Sequence, residues 1–417
     1  MTRLNDDCFA PAGEMMRLAD ALTLLAEKLG PAAAAETAPL KACLGRVLAE
    51  DVVATRDVPP HDNSAMDGYA VFFDDLDGGG ETRLEVAGRI AAGHPLEGPP
   101  RRRCAYRIFT GAAMPEGPDT VVIQEDCRTD GTAVILPAGV KQGANRRFRG
   151  EDVAAGSAVI ARGRVMRAQE IGLAASLGLS HLKVYAPLRA AVFSTGDEIR
   201  DPSQDAPEGC IFDANRYSVI ALLDGLGCTV TDLGILPDDL GAIQGALAAA
   251  APDHDLLITS GGVSLGEEDH VKAAVEALGG LHFWRLAIKP GKPIALGVLD
   301  GTAFIGLPGN PVSAMITFML VGRPVVSMLS GRSFAEPPRF KVGAGFDFKK
   351  KPGRREWLRG RLERQGDGQL SVLKYPSEGS GILKSMVESD GLIELPEDLE
   401  LVNKGDMVDF FPFNEVV

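Results

Sequence analysis

Ala190-Ala191-Val192-Phe193-Ser194-Thr195-Gly196-Asp197-Glu198 passes from four apolar residues directly into a polar, glycine-containing loop. The same change recurs where Leu256-Leu257-Ile258-Thr259 runs into Ser260-Gly261-Gly262-Val263-Ser264-Leu265-Gly266, and where residues 302–305 run into Gly306-Leu307-Pro308-Gly309-Asn310-Pro311. Helical patterns over 216–226, Leu240–Ala250 and His270–Leu278 separate these runs, and a further strand reads at 230–233. Strand, loop and helix in alternation predict a mostly parallel sheet covered by helices. Residues 294–298 and 302–305 flank Asp300-Gly301, a hairpin signal that places an antiparallel edge on the sheet.

Working outward, Met16, Leu18, Leu22, Leu25 and Leu29 recur at helical spacing until Gly30-Pro31 stops the pattern. From 51 to 136 the sequence turns to short β-rich runs such as 83–87 and Thr120–Ile123, punctuated by Gly78-Gly79-Gly80, Pro99-Pro100 and Asp130-Gly131. A helical pattern returns over 169–179 and is expected to pack with the opening helix, leaving a β domain inserted between them. Past Pro337 the chain is again strand-like, turning at Gly366-Asp367-Gly368 between 357–363 and 370–375. The expected fold is therefore multidomain, α/β plus β. A discontinuous elongated domain with helical and mixed structure spans 1–55 and 145–186, and an inserted β-rich domain spans 56–144. A central α/β domain covers 187–332, and a small C-terminal β domain, barrel-like, covers 333–417.

A chain of 417 residues exceeds one ordinary core. With 43 Lys and Arg against 57 Asp and Glu, the net charge of -14 argues against a general nucleic-acid surface, so anions must be held by local clusters. The Arg101-Arg102-Arg103 run reads as a solvated loop. The six cysteines form no Cys-x-x-Cys pair and read as reduced, mostly buried thiols. There is no leader-like start and no unbroken run of ~18 apolar residues, so the expectation is a cytoplasmic protein without a membrane span.

Ligands of open α/β sheets bind outside the carboxyl ends of the strands, and here those ends are rich in anion-binding chemistry. Ser194, Thr195, Gly196, Asp197 and Glu198 offer hydroxyls, a close-approach glycine and carboxylates for a polar ligand or Mg²⁺; a capped turn is the competing reading. The loop from Ser260 to Gly266 is expected to be a phosphate cradle, because its glycines let backbone amides approach phosphate oxygens while Ser260 and Ser264 add donors. Glu267, Glu268 and Asp269 follow, suited to a helix start or, for Asp269, to magnesium beside phosphate. Lys289-Pro290-Gly291-Lys292-Pro293 holds two ammonium groups on a proline-stiffened turn, which suits a diphosphate or oxyanion. Asn310 at an N-cap and Pro311 at the first helical position aim a helix N-terminus at the same rim.

Taken in order, Asp62-Asn-Ser-Ala-Met-Asp-Gly-Tyr-Ala70, Thr110-Gly-Ala112, Gly150-Glu-Asp152, Ser194-Thr-Gly-Asp-Glu198, Ser260-Gly-Gly-Val-Ser264, Lys289-Pro-Gly-Lys-Pro293 and Leu307-Pro-Gly-Asn-Pro311 resemble the motifs of the molybdopterin molybdenumtransferases, the family of MoeA and the gephyrin E domain. The resemblance covers nearly the whole chain. It implies a MogA-like central domain and an elongated homodimer in which that domain faces the inserted domain of the other subunit. Adenylylated molybdopterin and molybdate would be the substrates and Mg²⁺ the cofactor, with AMP and active molybdenum cofactor released. A molybdopterin adenylyltransferase and apo-molybdoenzymes are the implied protein partners. By matching position, Glu198, Asp238 and Asp269 fall to magnesium or phosphoanhydride chemistry, and Lys289 and Lys292 to neutralising oxyanion charge. Asp62, Thr110 and Asp152 come from the region facing the cleft. Ser194, Thr195, Gly196, Ser260, Gly261, Gly262, Ser264, Pro308 and Asn310 line the pterin-nucleotide site, with Arg359 and Ser380 contacting molybdate. Asp238 also reads as a plain cap for the helix from Leu240. His61, Ala214 and Pro118 depart from the family pattern.

Two rivals stand beside this reading. Gly262-Val263-Ser264-Leu265-Gly266 matches a nucleophile elbow, which would make Ser264 the nucleophile of a serine hydrolase. Only His270 and His282 follow it, with no separate strand and loop to deliver both acid and base. The gephyrin E domain also clusters receptors, so a scaffold or peptide-binding role is the second.

Overall fold

The computed structural model describes residues 15–262, 270–333, 335–366 and 368–416. At its centre six strands lie in the order Thr229–Leu236, Arg189–Thr195, Leu256–Ser260, Thr302–Leu307, Pro293–Leu299 and Gly279–Arg285. The first four are parallel; Pro293–Leu299 runs antiparallel to both its neighbours, so Gly279–Arg285 again has the direction of the first four. Leu256–Ser260 and Thr302–Leu307 are buried at every position, as strands covered on both faces must be. Alternate residues of one strand feed two cores: Val192 joins Val219, Leu222 and Ile258 on one face, while Phe193 joins Ile243, Leu247 and Phe304 on the other. Asp300 and Gly301 both take positive φ, 47° and 95°, as a tight turn with the hand of its flanking strands requires. The Gly279–Arg285 strand has no counterpart among the expected elements, because it starts where a helix ends and opens with two glycines.

Helices Ala214–Gly225, Leu240–Ala250 and His270–Leu278 cover the sheet. Asp213 caps the first through the Arg216 amide at 3.1 Å, and Asp239 caps the second through the Ala242 amide at 2.8 Å. A continuous helical stretch, Pro311–Leu329, is long and apolar enough to cross a membrane, with mean hydropathy 1.7 over 19 residues. It is instead 89% buried inside the protein, and Ser313, Thr317 and Arg323 interrupt its apolar composition.

The opening helix, Leu18–Lys28, does not pack as expected. Its Leu18, Ala21 and Leu25 enter the α/β core beside Val325 and Leu329, whereas helix Ala168–Ser176 buries Ala174 among Leu48, Met166 and Val184. Residues on either side of the inserted β segment are joined by strand pairing: Ala35–Pro39 with His181–Tyr185, and Val52–Val53 with Ala158–Ile160. The inserted segment forms its own six-stranded sheet, ordered Thr120–Ile123, Gly68–Val71, Cys104–Ile108, Thr82–Ile90, Ala133–Leu136, Arg128–Asp130. At the C-terminus Arg355–Arg364 pairs with both Leu370–Lys374 and Gly391–Leu395, which closes the sheet into a barrel. Trp357, Leu392 and Phe411 of that barrel belong to the same core as the α/β sheet. Among described cysteines all are free; Cys43 and Cys104 are buried, but Cys127, Cys210 and Cys228 only half-buried. Burial pushes the Cys228 thiol up to about 12, so it is inert rather than reactive.

Candidate functional site

Strand register decides what meets at the rim. Thr195 lies opposite Leu236, Ser260 opposite Leu307, and Ala295 opposite Gly306, so the loops after the parallel strands and the loop entering Pro293 share one edge. Thr195, Asp238, Ser260, Pro308 and Lys292 therefore gather there. Ser260 Oγ donates to Pro308 O at 3.2 Å, the Gly261 amide to Leu307 O at 3.1 Å, and Thr195 Oγ1 to Asp238 Oδ1 at 3.4 Å. Asp239, not Asp238, caps the following helix, which leaves the exposed Asp238 carboxylate to the rim. Asn215, which the sequence reading assigned no role, ties two loops by donating to Ser260 Oγ at 2.8 Å and Gly309 O at 2.7 Å. Its signal was its place in the first turn of a helix aimed at the rim.

Two glycines there take backbone conformations that side chains rarely adopt, φ 62° at Gly262 and 145° at Gly196. A Cβ on Gly262, at φ 62°, would lie 2.7 Å from Val271 Cγ2 and 3.0 Å from Thr195 Cγ2. A Cβ on Gly196 would lie 2.7 Å from Glu198 Oε2, so the exposed Glu198 carboxylate folds back over the glycine. Among the described residues, Ser194 Oγ and Thr259 Oγ1 are buried beside this edge without a hydrogen-bond partner. Such orphaned hydroxyls cost stability unless something polar satisfies them.

Beneath the rim Arg216 is 3% exposed and bonds Asp213, Asp201 and Asp232, with Nη2 to Asp201 Oδ2 at 2.6 Å and Nε to Asp213 Oδ2 at 2.9 Å. Burial opposes its charge, but the hydrogen bonds it donates to Asp232, Asp213 and Asp201 outweigh burial and raise its pKa. This clasp closes the loop between Glu198 and the helix that carries Asn215.

The lysine loop is built by the barrel. Ile288–Lys289 forms a two-residue parallel pairing with Arg355–Glu356, and Lys289 Nζ lies 3.2 Å from Glu356 Oε2 and 3.1 Å from Glu378 Oε2. Burial works against the ammonium, yet hydrogen bonds to Glu378 and Glu356 hold its pKa above the ordinary lysine value. Gly291 takes φ 99°, and a Cβ there would meet Thr317 Oγ1 at 2.2 Å. Arg359 is 2% exposed; its Nε donates to Ser385 Oγ at 2.9 Å and Nη2 to Ser377 O at 2.8 Å and Gly379 O at 3.3 Å. Burial lowers its pKa. Arg359 thus lies beneath the loop that carries Ser380. The Ser380 carbonyl accepts the Val312 amide at 3.0 Å, so the barrel takes the first available N–H of helix Pro311–Thr317. Asn310 stands at the expected N-cap position, but its side chain makes no cap hydrogen bond.

The inserted-domain residues form a separate group. Asp62 accepts from Arg146 Nε at 2.9 Å and the Arg149 amide at 2.7 Å; these bonds outweigh burial and hold its carboxyl below the usual range. Thr110 donates its amide and hydroxyl, both at 2.8 Å, to Asp67 Oδ1, making Asp67 a further residue of this group. Asp152 is exposed, its amide bonded to Val58 O at 3.1 Å. The partners of Asp62 and Thr110 named here, Arg146, Arg149 and Asp67, lie in the inserted domain or just after it in sequence. Ser264 and Asp269 lie outside the described residues, and among the described residues no three His, Cys, Asp or Glu side chains cluster as a metal site.

Serine- and glycine-lined strand ends, exposed carboxylates and a lysine held by the barrel give this α/β enzyme a polar, charged rim. Its three segments match known families in order: the MoeA N-terminal region (domain I and II) over residues 16–178, a "probable molybdopterin binding domain" over 191–328, and the MoeA C-terminal region (domain IV) over 341–413. The chain belongs to the MoeA family of molybdopterin molybdenumtransferases. It is 40% identical to the molybdopterin molybdenumtransferase of Haemophilus influenzae, covering 97% of this chain and 100% of that one. Molybdopterin molybdenumtransferase 2 of Mycobacterium tuberculosis is 36% identical over 88% of this chain and 93% of its own length. The crystal structure of the molybdopterin biosynthesis moeA protein from Pyrococcus horikoshii OT3 superposes with a TM-score of 0.82 at 28% identity, covering 95% of this chain and 99% of that one.

Proposed function

We propose that the rim binds adenylylated molybdopterin and molybdate, inserts the molybdate into the dithiolene, and hydrolyses the phosphoanhydride link so that AMP and active molybdenum cofactor leave. The observation that carries this reading is the shared edge of Thr195, Asp238, Ser260, Pro308 and Lys292, reached by the barrel loop of Arg359 and Ser380. Ser194, Thr195, Gly196, Ser260, Gly261, Gly262, Pro308 and Asn310 line the pterin-nucleotide side, and Lys289 and Lys292 neutralise oxyanion charge.

Glu198 and Asp238 suit Mg²⁺, which takes one or two carboxylates together with substrate phosphates and keeps its own waters. When bound, the ion neutralises charge on the bridging phosphates and eases departure of AMP. Asp62, Thr110 and Asp152 act from the region of the partner subunit that faces the cleft in a homodimer, which accounts for their lying apart from the rim in one chain. A cytoplasmic setting, with an adenylyltransferase upstream and apo-molybdoenzymes downstream, completes the proposal.

The deciding assay combines purified protein, adenylylated molybdopterin, molybdate and magnesium. AMP release and reconstitution of an apo-molybdoenzyme are the expected results; silence in both readouts removes the reading.

A further inference from the structure

The two carboxylates on the Lys289 ammonium are unlike each other. Glu356 is the register partner of Lys289 across a strand pairing, and its side chain is 4% exposed. Glu378 lies in an irregular loop with its side chain 39% exposed, and it also lies 3.8 Å from Lys374 Nζ. It is the carboxylate whose charge acts on the buried Arg359 guanidinium. Two ammonium groups, Lys289 and Lys374, thus lie against one half-exposed carboxylate whose loop is tied on both sides to the buried Arg359 guanidinium, a concentration of positive charge that suits a tetrahedral oxyanion.

The backbone around Glu378 is held on both sides. Arg359 Nη2 binds the carbonyls of Ser377 and Gly379, and the Val312 amide binds that of Ser380. The Glu378 side chain can therefore rotate to solvent while the loop stays in place. Its departure costs less than freeing Glu356 would, since a half-exposed carboxylate trades its ion pairs for hydration, yet enough that only a dianion repays it. Glu356 has no such exit, because freeing a buried carboxylate from its partner is unfavourable.

We propose that Glu378 is a resident stand-in anion in the oxyanion seat of Lys289, Lys374 and Arg359, and that it sets specificity by yielding only to a dianion. Glu356 stays as the fixed counter-ion of Lys289. With Glu378 in place the named groups carry one net positive charge; with it swung out they carry two, matching molybdate. A monoanion gains nothing by displacing a carboxylate of equal charge. The proposal rests on the reading that this rim receives molybdate, and it adds the residue that guards the seat.

Calorimetric titration of inorganic molybdate into the full chain, without pterin, tests it independently of turnover. Glu378→Gln is expected to tighten molybdate roughly ten-fold, by removing a like charge at contact distance, and to let chloride compete where it does not in the parent. Glu378→Ser, which shortens the side chain, moves affinity in the same direction, and Lys289→Ala abolishes the gain. Equal or weaker molybdate binding in Glu378→Gln, or a gain that persists in Lys289→Ala, overturns the proposal. A protein that shows this binding pattern yet releases no AMP from the adenylylated pterin would keep the seat and lose the transferase reading.

Discussion

Arg216 and Arg359 are almost equally buried, at 3% and 2% exposure, yet they are solvated by the protein in opposite ways. Arg216 is surrounded by Asp201, Asp213 and Asp232, and its pKa rises; Arg359 bonds two carbonyls and a serine hydroxyl, and its pKa falls. The first charge is consumed in closing a loop. The second makes its hydrogen bonds to neutral groups beneath the barrel loop, where the proposed oxyanion would use its charge. Within one molecule, the charge balance around a buried guanidinium separates a clasp from a binding element.

That contrast fails if both arginines respond alike to removal. Arg216→Met strands three carboxylates and is expected to cost about 3–5 kcal/mol of stability, read as a shifted urea midpoint. At the rim above it, Glu198→Gln and Lys292→Ala should slow AMP release by about 10²-fold or more with an unchanged urea midpoint; unchanged rates would show that the chemistry sits elsewhere. Arg359→Met leaves only neutral acceptors unpaired, so a smaller loss of about 1–3 kcal/mol should accompany weakened molybdate binding. A stability loss as large as that of Arg216→Met, with molybdate binding intact, would erase the distinction.

Acid sharpens the comparison. Asp201 is held below its ordinary pKa first by the Ser203 hydroxyl and amide, then by Tyr217 and Arg216, against the opposing effect of burial. A carboxyl depressed on folding adds stability that is present above its unfolded pKa of about 4 and lost as pH falls below it. Urea midpoints measured down an acid series should therefore fall less steeply in Arg216→Met than in the parent, while Arg359→Met keeps the parent slope. The smallest effect belongs to Asp239→Ala, which removes a helix cap for about 1 kcal/mol while sparing turnover; Asp238→Asn should do the reverse.

Much of this was legible in the sequence because it is local. The loops from Ser194 to Glu198, from Ser260, and from Leu307 to Pro311 follow apolar runs directly, and helices Leu240–Ala250 and His270–Leu278 fall where periodicity places them. Asn215 was not legible, because its partners Ser260 and Gly309 lie 45 and 94 positions away. Glu356 and Glu378 were missed for the same reason, at 67 and 89 positions from Lys289. Which of Asp238 and Asp239 caps the helix depends on one residue of helix phase, finer than the pattern resolves. The opening helix was assigned the wrong neighbour because an amphipathic face declares that it is buried, not what covers it.

Ile288–Lys289 belongs by chain position to the α/β segment and by hydrogen bonding to the barrel. The barrel therefore works as a jig: it sets the height at which the first ammonium stands over the sheet. A chain severed after Leu329 would lose that alignment together with Trp357, Leu392 and Phe411 from the shared core, and adding the missing piece in trans should restore anion binding only as far as those two residues regain their parallel partner.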